Sequence, residues 1–306
     1  MAVVKSFAVS DANGQQGDMF YIEHGTSNFT IIDCCLTDDN KKMLVSEIEE
    51  KSRNKSITRF ISTHPDEDHI CGLEYLNEKV GLLNFYCVEN NATKADKTDS
   101  FKAYCKLRDD KLKHFFVEAG CRRKWMNVND ENDGKNYGSS GINFKWPVIS
   151  NTDYQRALKE AEEGKAYNNL SPVFTYSIDG GATFMWMGDI ESGFIEKVKG
   201  DIAWCPVDVL FAPHHGRKSG KLPDDVLKEL NPKIIIIGEA PSENIDYYQG
   251  YNTLTQNSTG NITLEYIGDM IHVFIEADSY AYDTSFLEDK NIADSDHGFY
   301  IGTIVV

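Results

Sequence analysis

Six residues, His64-Pro65-Asp66-Glu67-Asp68-His69, follow directly on the apolar, β-branched run Thr58-Arg59-Phe60-Ile61-Ser62. Such a run reads as a buried strand, so the chain delivers two imidazoles and three carboxylates to one short loop at a strand end. Left unpaired, Asp66, Glu67 and Asp68 repel one another, and a divalent cation removes that penalty. His64, Asp66, Asp68 and His69 are therefore read as metal ligands. The competing reading, a solvated acidic turn with two incidental histidines, accounts poorly for four ligating groups placed together.

The rest of the chain is organised around that loop. Strands are expected at Lys5–Val9, Met19–Glu23 and Phe29–Asp33, with a turn-rich Asp11-Ala12-Asn13-Gly14 between the first two. A helix is expected over 39–51, a second over 73–80, and a strand over 82–88. From Asn90 to about Lys165 the composition shifts to Lys, Asp, Asn and Gly, with helices at 100–113 and 153–165. We read 90–165 as an insertion or cap within a single domain, 1–306, because strands resume after it.

Hairpins are expected at 172–178 with 182–187, over Asp179-Gly180-Gly181, and at 262–266 with 270–275. Between them fall a helix at 191–199, a strand at 207–212, a helix at 223–230 and a strand at 233–238. Residues 276–306 form an acidic C-terminal extension that ends in a strand-like run. Hairpins followed by alternating strands and helices, twice over, suit two packed sheets with helices outside, an αββα sandwich.

Charge and cysteines narrow the function classes. With 31 Lys+Arg against 48 Asp+Glu the chain carries −17, which reads first as solubility. It also argues against long nucleic acid, which needs a basic face. Seven cysteines, at 34, 35, 71, 87, 105, 121 and 205, include no CxxC pair. That speaks against a zinc ribbon or a thioredoxin motif and for reduced thiols in a cytoplasmic protein. No apolar run approaches the ~18 residues of a membrane span, and Met1–Gly14 has no signal-peptide stretch. The expectation is a soluble protein with no membrane partner.

The loop resembles the metallo-β-lactamase superfamily signature HxHxDH, with Asp66 where the second His would stand. The variant HxDxDH is similar to the soluble domain of the competence protein ComEC and its stand-alone relatives. Other segments agree in order: Gly14-Gln15-Gln16-Gly17-Asp18, Thr30-Ile31-Ile32-Asp33, Asn168-Asn169-Leu170-Ser171-Pro172-Val173, Met187-Gly188-Asp189-Ile190-Glu191 and Pro213-His214-His215-Gly216-Arg217-Lys218-Ser219. The match spans roughly 5–89 and 168–275.

The resemblance implies a metallo-β-lactamase αββα sandwich, two mixed β-sheets flanked by helices, holding two divalent metal ions. It assigns His64 and Asp66 to the first ion, Asp68 and His69 to the second, and Asp189 to both, where the alternative for Asp189 is a turn cap. His214 or His215 completes the set. Neighbours leaving a strand point opposite ways, so one is expected to bind metal and the other to face substrate. The family's further histidine is missing: only His114 lies in that interval, and Asn168 or Asn169 occupies the corresponding place, to bind substrate, water or metal. Carboxylate and amide oxygens in place of imidazoles make the site harder, favouring Mn2+ or Mg2+, with Zn2+ as the alternative.

Two such ions would generate hydroxide from water and clamp substrate oxygens. Asp68, His215 and Lys218 are the catalytic candidates, with Lys218, Arg122 and Arg123 as phosphate contacts; for the three cations the alternative is a solvated surface charge. The implied substrate is a phosphodiester: a nucleotide, an oligonucleotide or single-stranded nucleic acid. A lactone, lactam or thioester is the second enzymatic reading. A non-catalytic module that binds a ligand, a protein partner or another copy of the chain is the third.

Overall fold

The computed structural model describes residues 1–10, 16–129, 134–281 and 283–306. The expected turn at 11–14, and Gly14-Gln15 of the glycine-rich segment, lie outside them. In chain order the first strands are β1 (Ala2–Ser6), β2 (Phe20–Glu23), β3 (Asn28–Ile32), β4 (Cys34–Cys35), β5 (Ile57–Ile61), β6 (Phe85–Cys87), β7 (His114–Phe116) and β8 (Ile142–Trp146). The second half adds β9 (Val173–Ser177), β10 (Thr183–Trp186), β11 (Val209–Phe211), β12 (Ile234–Ile237), β13 (Thr253–Thr255), β14 (Ile262–Ile267), β15 (Met270–Ile275) and β16 (Phe299–Val305). The α-helices are α1 (Lys41–Ser52), α2 (Glu67–Ile70), α3 (Leu73–Val80), α4 (Asp99–Asp109), α5 (Thr152–Glu162), α6 (Ser192–Val198), α7 (Asp224–Leu230) and α8 (Gln256–Thr259).

Among the described residues the strands form a nine-stranded sheet, β16-β15-β14-β1-β2-β3-β5-β6-β7, and a six-stranded sheet, β13-β12-β11-β10-β9-β8. In the first, pairs from β16 through β3 are antiparallel, and β3, β5, β6 and β7 run parallel. The second repeats the plan, antiparallel from β8 to β10 and parallel from β10 to β13. Both sheets are mixed.

Side chains alternate across a strand, so the nine-stranded sheet serves two cores. Val4, Ile22, Ile32 and Ile61 share a core with Phe184, Trp186 and Phe211 of the other sheet, the last two packing on Phe20. Their sequence neighbours Val3, Tyr21, Ile31 and Phe60 pack instead with Leu44, Ile48, Leu73, Leu76 and Phe101 of α1, α3 and α4. Ala157, Ile195 and Leu227 of α5, α6 and α7 join the first core from the far side of the six-stranded sheet. The layers are helix, sheet, sheet, helix: an αββα sandwich. β12 is four isoleucines, all buried, as a parallel strand covered on both faces requires.

Several expectations needed correction. The first strand is Ala2–Ser6, earlier than Lys5–Val9. Its pairing with β2 and β14 ends at Ser6, and the Val9 and Ser10 amides donate to the buried Glu239 carboxylate at 2.6 and 2.8 Å. The helix expected over 100–113 stops at Asp109, after which the chain turns into β7, alongside Phe85–Cys87. β7, β8 and β13 were not anticipated. Residues 90–165 supply β7 and β8 at the two sheet edges and α4 and α5 on outer faces. The extension from 276 adds β16 as an edge strand.

Candidate metal centre

The carboxyl ends of the parallel strands lead to the polar residues, where ligands gather in sheets of this kind. β3 ends into Asp33, β5 into Thr63 and His64, β10 into Gly188 and Asp189, and β11 into His214 and His215. Asp18 enters from the other direction, just before β2. After His64 the chain forms α2, whose first carbonyl, at Asp66, accepts from the amides of His69 and Ile70. That single turn brings His69 inward, fully buried.

Each imidazole is held from behind. Asp33 accepts from Thr63 N at 2.8 Å, from Thr63 Oγ1 at 2.6 Å and pairs with His69 Nδ1 at 2.9 Å. Asp18 Oδ1 lies 3.0 Å from His215 Nδ1. Thr63 Oγ1 and Ser171 Oγ lie 3.1 and 3.4 Å from His64 Nδ1, and Ser171 Oγ also accepts from Asp189 N. A carboxylate behind Nδ1 fixes the tautomer with Nε2 free to ligate.

The free nitrogens converge. His69 Nε2 lies 3.1 Å from Asp189 Oδ1. Asp189 Oδ2 lies 3.4 Å from His215 Nε2 and 3.6 Å from His214 Nε2. Asp68 Oδ2 is 3.4 Å from His215 Nε2, and Asp66 Oδ2 is 3.5 Å from His64 Nε2. Asp18, His69, Asp189 and His215 each offer a ligand atom within 4.8 Å of the others. His64 Nε2, His69 Nε2, His215 Nε2 and Asp189 Oδ1 are buried without a hydrogen-bond partner. An unsatisfied buried polar atom costs about 1–3 kcal/mol, so four at one place mark a position built for cations. The residues present fit divalent metal.

Local electrostatics follow from this crowding. Burial alone would lower the pKa of His69 and His215, but Asp189 with Asp33, and Asp18 with Asp189, raise them well above the ordinary imidazole value. Burial would raise Asp68 and Asp189; the nearby His215 and His69 imidazoles hold Asp68 well below the usual carboxylate range, and do the same for Asp189. Burial pushes His214 down.

The His214–His215 pair departs from the expected alternation. Both have φ of 55°, followed by Gly216 at 77°, so this is a left-handed turn and not an extended strand end. Such backbone is costly for a non-glycine residue. It turns both Nε2 atoms toward Asp189. His214 differs in its second nitrogen, which meets Ser219 Oγ at 3.0 Å. Gly17 is needed for close approach: a Cβ there would lie 2.2 Å from the Asp68 carbonyl, the same carbonyl that accepts from Asp18 N.

The remaining sequence candidates sit as follows. Asn169 and Glu191 bond reciprocally, Nδ2 to Oε2 at 2.9 Å and Glu191 N to Oδ1 at 3.1 Å, tying the loop before β9 to that after Asp189. The Asn168 carbonyl accepts from Ser171 N. Lys218 Nζ donates to the Glu243 carbonyl at 2.9 Å, beside a cavity of about 380 Å³ that Tyr247 and Tyr251 also line. The Arg123 guanidinium lies over the rings of Phe115 and Tyr86 at 4.6 and 4.9 Å. Arg122 lines a separate cavity of about 400 Å³ with Asn127 and Asp201. His114 stacks on Phe116 within β7.

Sequence reasoning quoted Asp18 and Asp33 within motifs but gave them no role; a carboxylate closing a turn before or after a strand was the available signal. Lys94 carried no such signal. Its Nζ stands 3.7 Å from Asp66 Oδ1.

No family model matches the chain, and no curated protein does. Solved structures are similar to it at low identity. A diphosphatase from the PhnP family covers 86% of this chain and 97% of its own, at 13% identity and a TM-score of 0.40. Rm3 metallo-beta-lactamase covers 69% and 79%, at 11% identity and a TM-score of 0.40. A putative metallo-beta-lactamase from Thermotoga maritima covers 66% and 87%, at 14% and 0.36. Similarity at this level carries no activity over to this chain. No helix among the described residues is long and apolar enough to cross a membrane.

Proposed function

We propose that the protein is a metal-dependent hydrolase, and that its substrate is a phosphodiester of nucleotide or oligonucleotide size. One observation carries the first half: the orphaned, buried Nε2 atoms of His64, His69 and His215 and Oδ1 of Asp189 face one place. His64 and Asp66 would hold a first ion, and Asp68, His69 and His215 a second. Asp189 presents Oδ1 to His69 and Oδ2 to His214 and His215, so its carboxylate stands among these ligands and would join them in holding an ion. Bound divalent ions would supply Lewis acidity and a nucleophile at neutral pH.

The chain's own groups do the rest. Asp33 and Asp18 hold their histidines in one orientation. Asp68 stays anionic, and its partly exposed carboxylate gives the site an open side. His214, with a lowered pKa, is neutral near pH 7 and able to accept a proton. The phosphodiester half of the reading is supported by the oxygen-rich ligand set, which suits hard ions, and by the ComEC-like Asp66. The net charge of −17 favours a short substrate over long DNA.

The test is turnover of a bis-aryl phosphodiester with Mn2+, compared with an Asp68→Ala, Asp189→Ala double variant. Metal-dependent turnover, reduced at least a hundredfold in the variant, is the expected result. Hydrolysis of a lactone or lactam but no phosphodiester would move the assignment to a carbon ester. Tight metal binding without turnover on any of these would make the protein a binding module.

A further inference from the structure

Lys94 lies in the loop between β6 and α4, and its backbone is fixed. Thr93 N donates to the Ala161 carbonyl at 3.1 Å, Thr93 Oγ1 to the Glu162 carbonyl at 2.7 Å, and the Thr93 carbonyl accepts from the Tyr167 hydroxyl. The side chain is 15% exposed. Its ammonium stands between two rings, 5.3 Å from the centroid of Phe101 and 5.1 Å from that of Tyr167. Aromatic faces attract a cation without consuming its protons. At 3.7 Å from Asp66 Oδ1 the ammonium is too far for a direct hydrogen bond, and among the described residues no hydrogen bond to Nζ is formed. An ammonium has three donors. Here the ammonium stands beside Asp66, at the rim of the metal centre.

The surroundings explain why a cation is needed there. Asp18, Asp33, Asp66, Asp68 and Asp189 all converge on the centre, in a chain of net charge −17. An anionic substrate approaches against that field. Lys94 is the one Lys or Arg, among the described residues, within ion-pair distance of these carboxylates. Lys218 and Arg123, expected to meet phosphate, have partners elsewhere.

We propose that Lys94 is the anion-recognition residue of this centre: its ammonium contacts a non-bridging oxygen of a phosphoester and makes the site select anionic esters over neutral ones. The substrate part rests on the phosphodiester reading; anion binding by itself does not. Caging between Phe101 and Tyr167 places the charge before substrate arrives, so little side-chain entropy is lost on binding.

The test uses Lys94→Met, which keeps the apolar stem between the rings, with Lys94→Arg as the conservative variant. For the Mn2+-loaded protein, calorimetric affinity for inorganic phosphate should fall at least tenfold in Lys94→Met and recover in part in Lys94→Arg. Metal content, measured by elemental analysis, should not change. In kinetics KM for the bis-aryl phosphodiester should rise at least tenfold, while hydrolysis of a neutral aryl ester changes less than twofold. Unchanged phosphate affinity in Lys94→Met overturns the proposal, as does wild-type protein that binds no phosphate. A parallel loss of metal also overturns it, since Lys94 would then act through Asp66. If Lys94-dependent phosphate binding is found without phosphodiester turnover, the anion site stands and the phosphodiesterase reading falls.

Discussion

Asp33 meets three groups at once, the Thr63 amide, the Thr63 hydroxyl and His69 Nδ1, at φ of 52°. It has no place to coordinate metal itself while it does so, yet it orients a ligand and the backbone of the loop. Groups of this kind typically contribute ten- to a hundredfold in metal affinity. Asp33→Ala should therefore weaken Mn2+ binding by about that factor, read by calorimetry. A second residue governs pH. His24 is buried, and burial first, then Arg59 and Lys55, lower its pKa well below 6.5. The folded state resists a proton that the unfolded chain accepts, so its contribution is complete above about pH 6.5 and is lost as pH falls below that. The urea midpoint should drop between pH 7 and 5, and drop less in His24→Gln.

At the scale of elements, one link between residues 121–129 and 134–141 and the sandwich is a buried cation. Arg59, in β5, donates to Thr30 Oγ1 at 3.2 Å, to Asn28 Oδ1 at 2.8 Å and to the Trp125 carbonyl at 3.1 Å. Asn28 in turn donates to the Tyr137 and Gly138 carbonyls. Hydrogen bonds to a charged group contribute about 1.5–3 kcal/mol each, and their acceptors are left unpaired if it is removed. Arg59→Ala should cost about 3 kcal/mol in denaturant unfolding and expose 121–129 to proteolysis before the rest of the chain. Element by element, β8 was legible: Ile142, Phe144 and Trp146 alternate with Asn143 and Lys145, and the alternate residues are the buried ones. Charged, glycine-rich flanks obscure that alternation in the composition. β7 and β13, three residues each, are too short to show a period; only a neighbouring strand makes them strands.

At the scale of the whole molecule, a charge of −17 opposes the folded state through self-repulsion, and bound cations relieve it. Saturating metal at a hundred times its Kd should stabilise folding by about 2.7 kcal/mol, seen as a higher Tm that Asp189→Ala abolishes. Independently, raising ionic strength from 10 to 150 mM should raise Tm of the metal-free protein, because screening weakens surface repulsion. A Tm that falls with salt would show that attractive surface pairs dominate instead.

The sequence by itself determined the sandwich's repeated rhythm and the ligands on one short loop, since periodicity and adjacent ligands are local properties. It also placed Asp189 at a strand end and the two histidines after β11. Tertiary structure alone decided that His214 and His215 both turn to Asp189, since a left-handed turn is not written in residue types. It alone brought Asp18 and Asp33 behind their histidines, 197 and 36 residues away in the chain. Lys94 is the clearest case. Nothing around it in the sequence resembles a motif, and its meaning comes from Phe101, Tyr167 and Asp66. Electrostatics acts through space, and the chain order of charges does not record which of them meet.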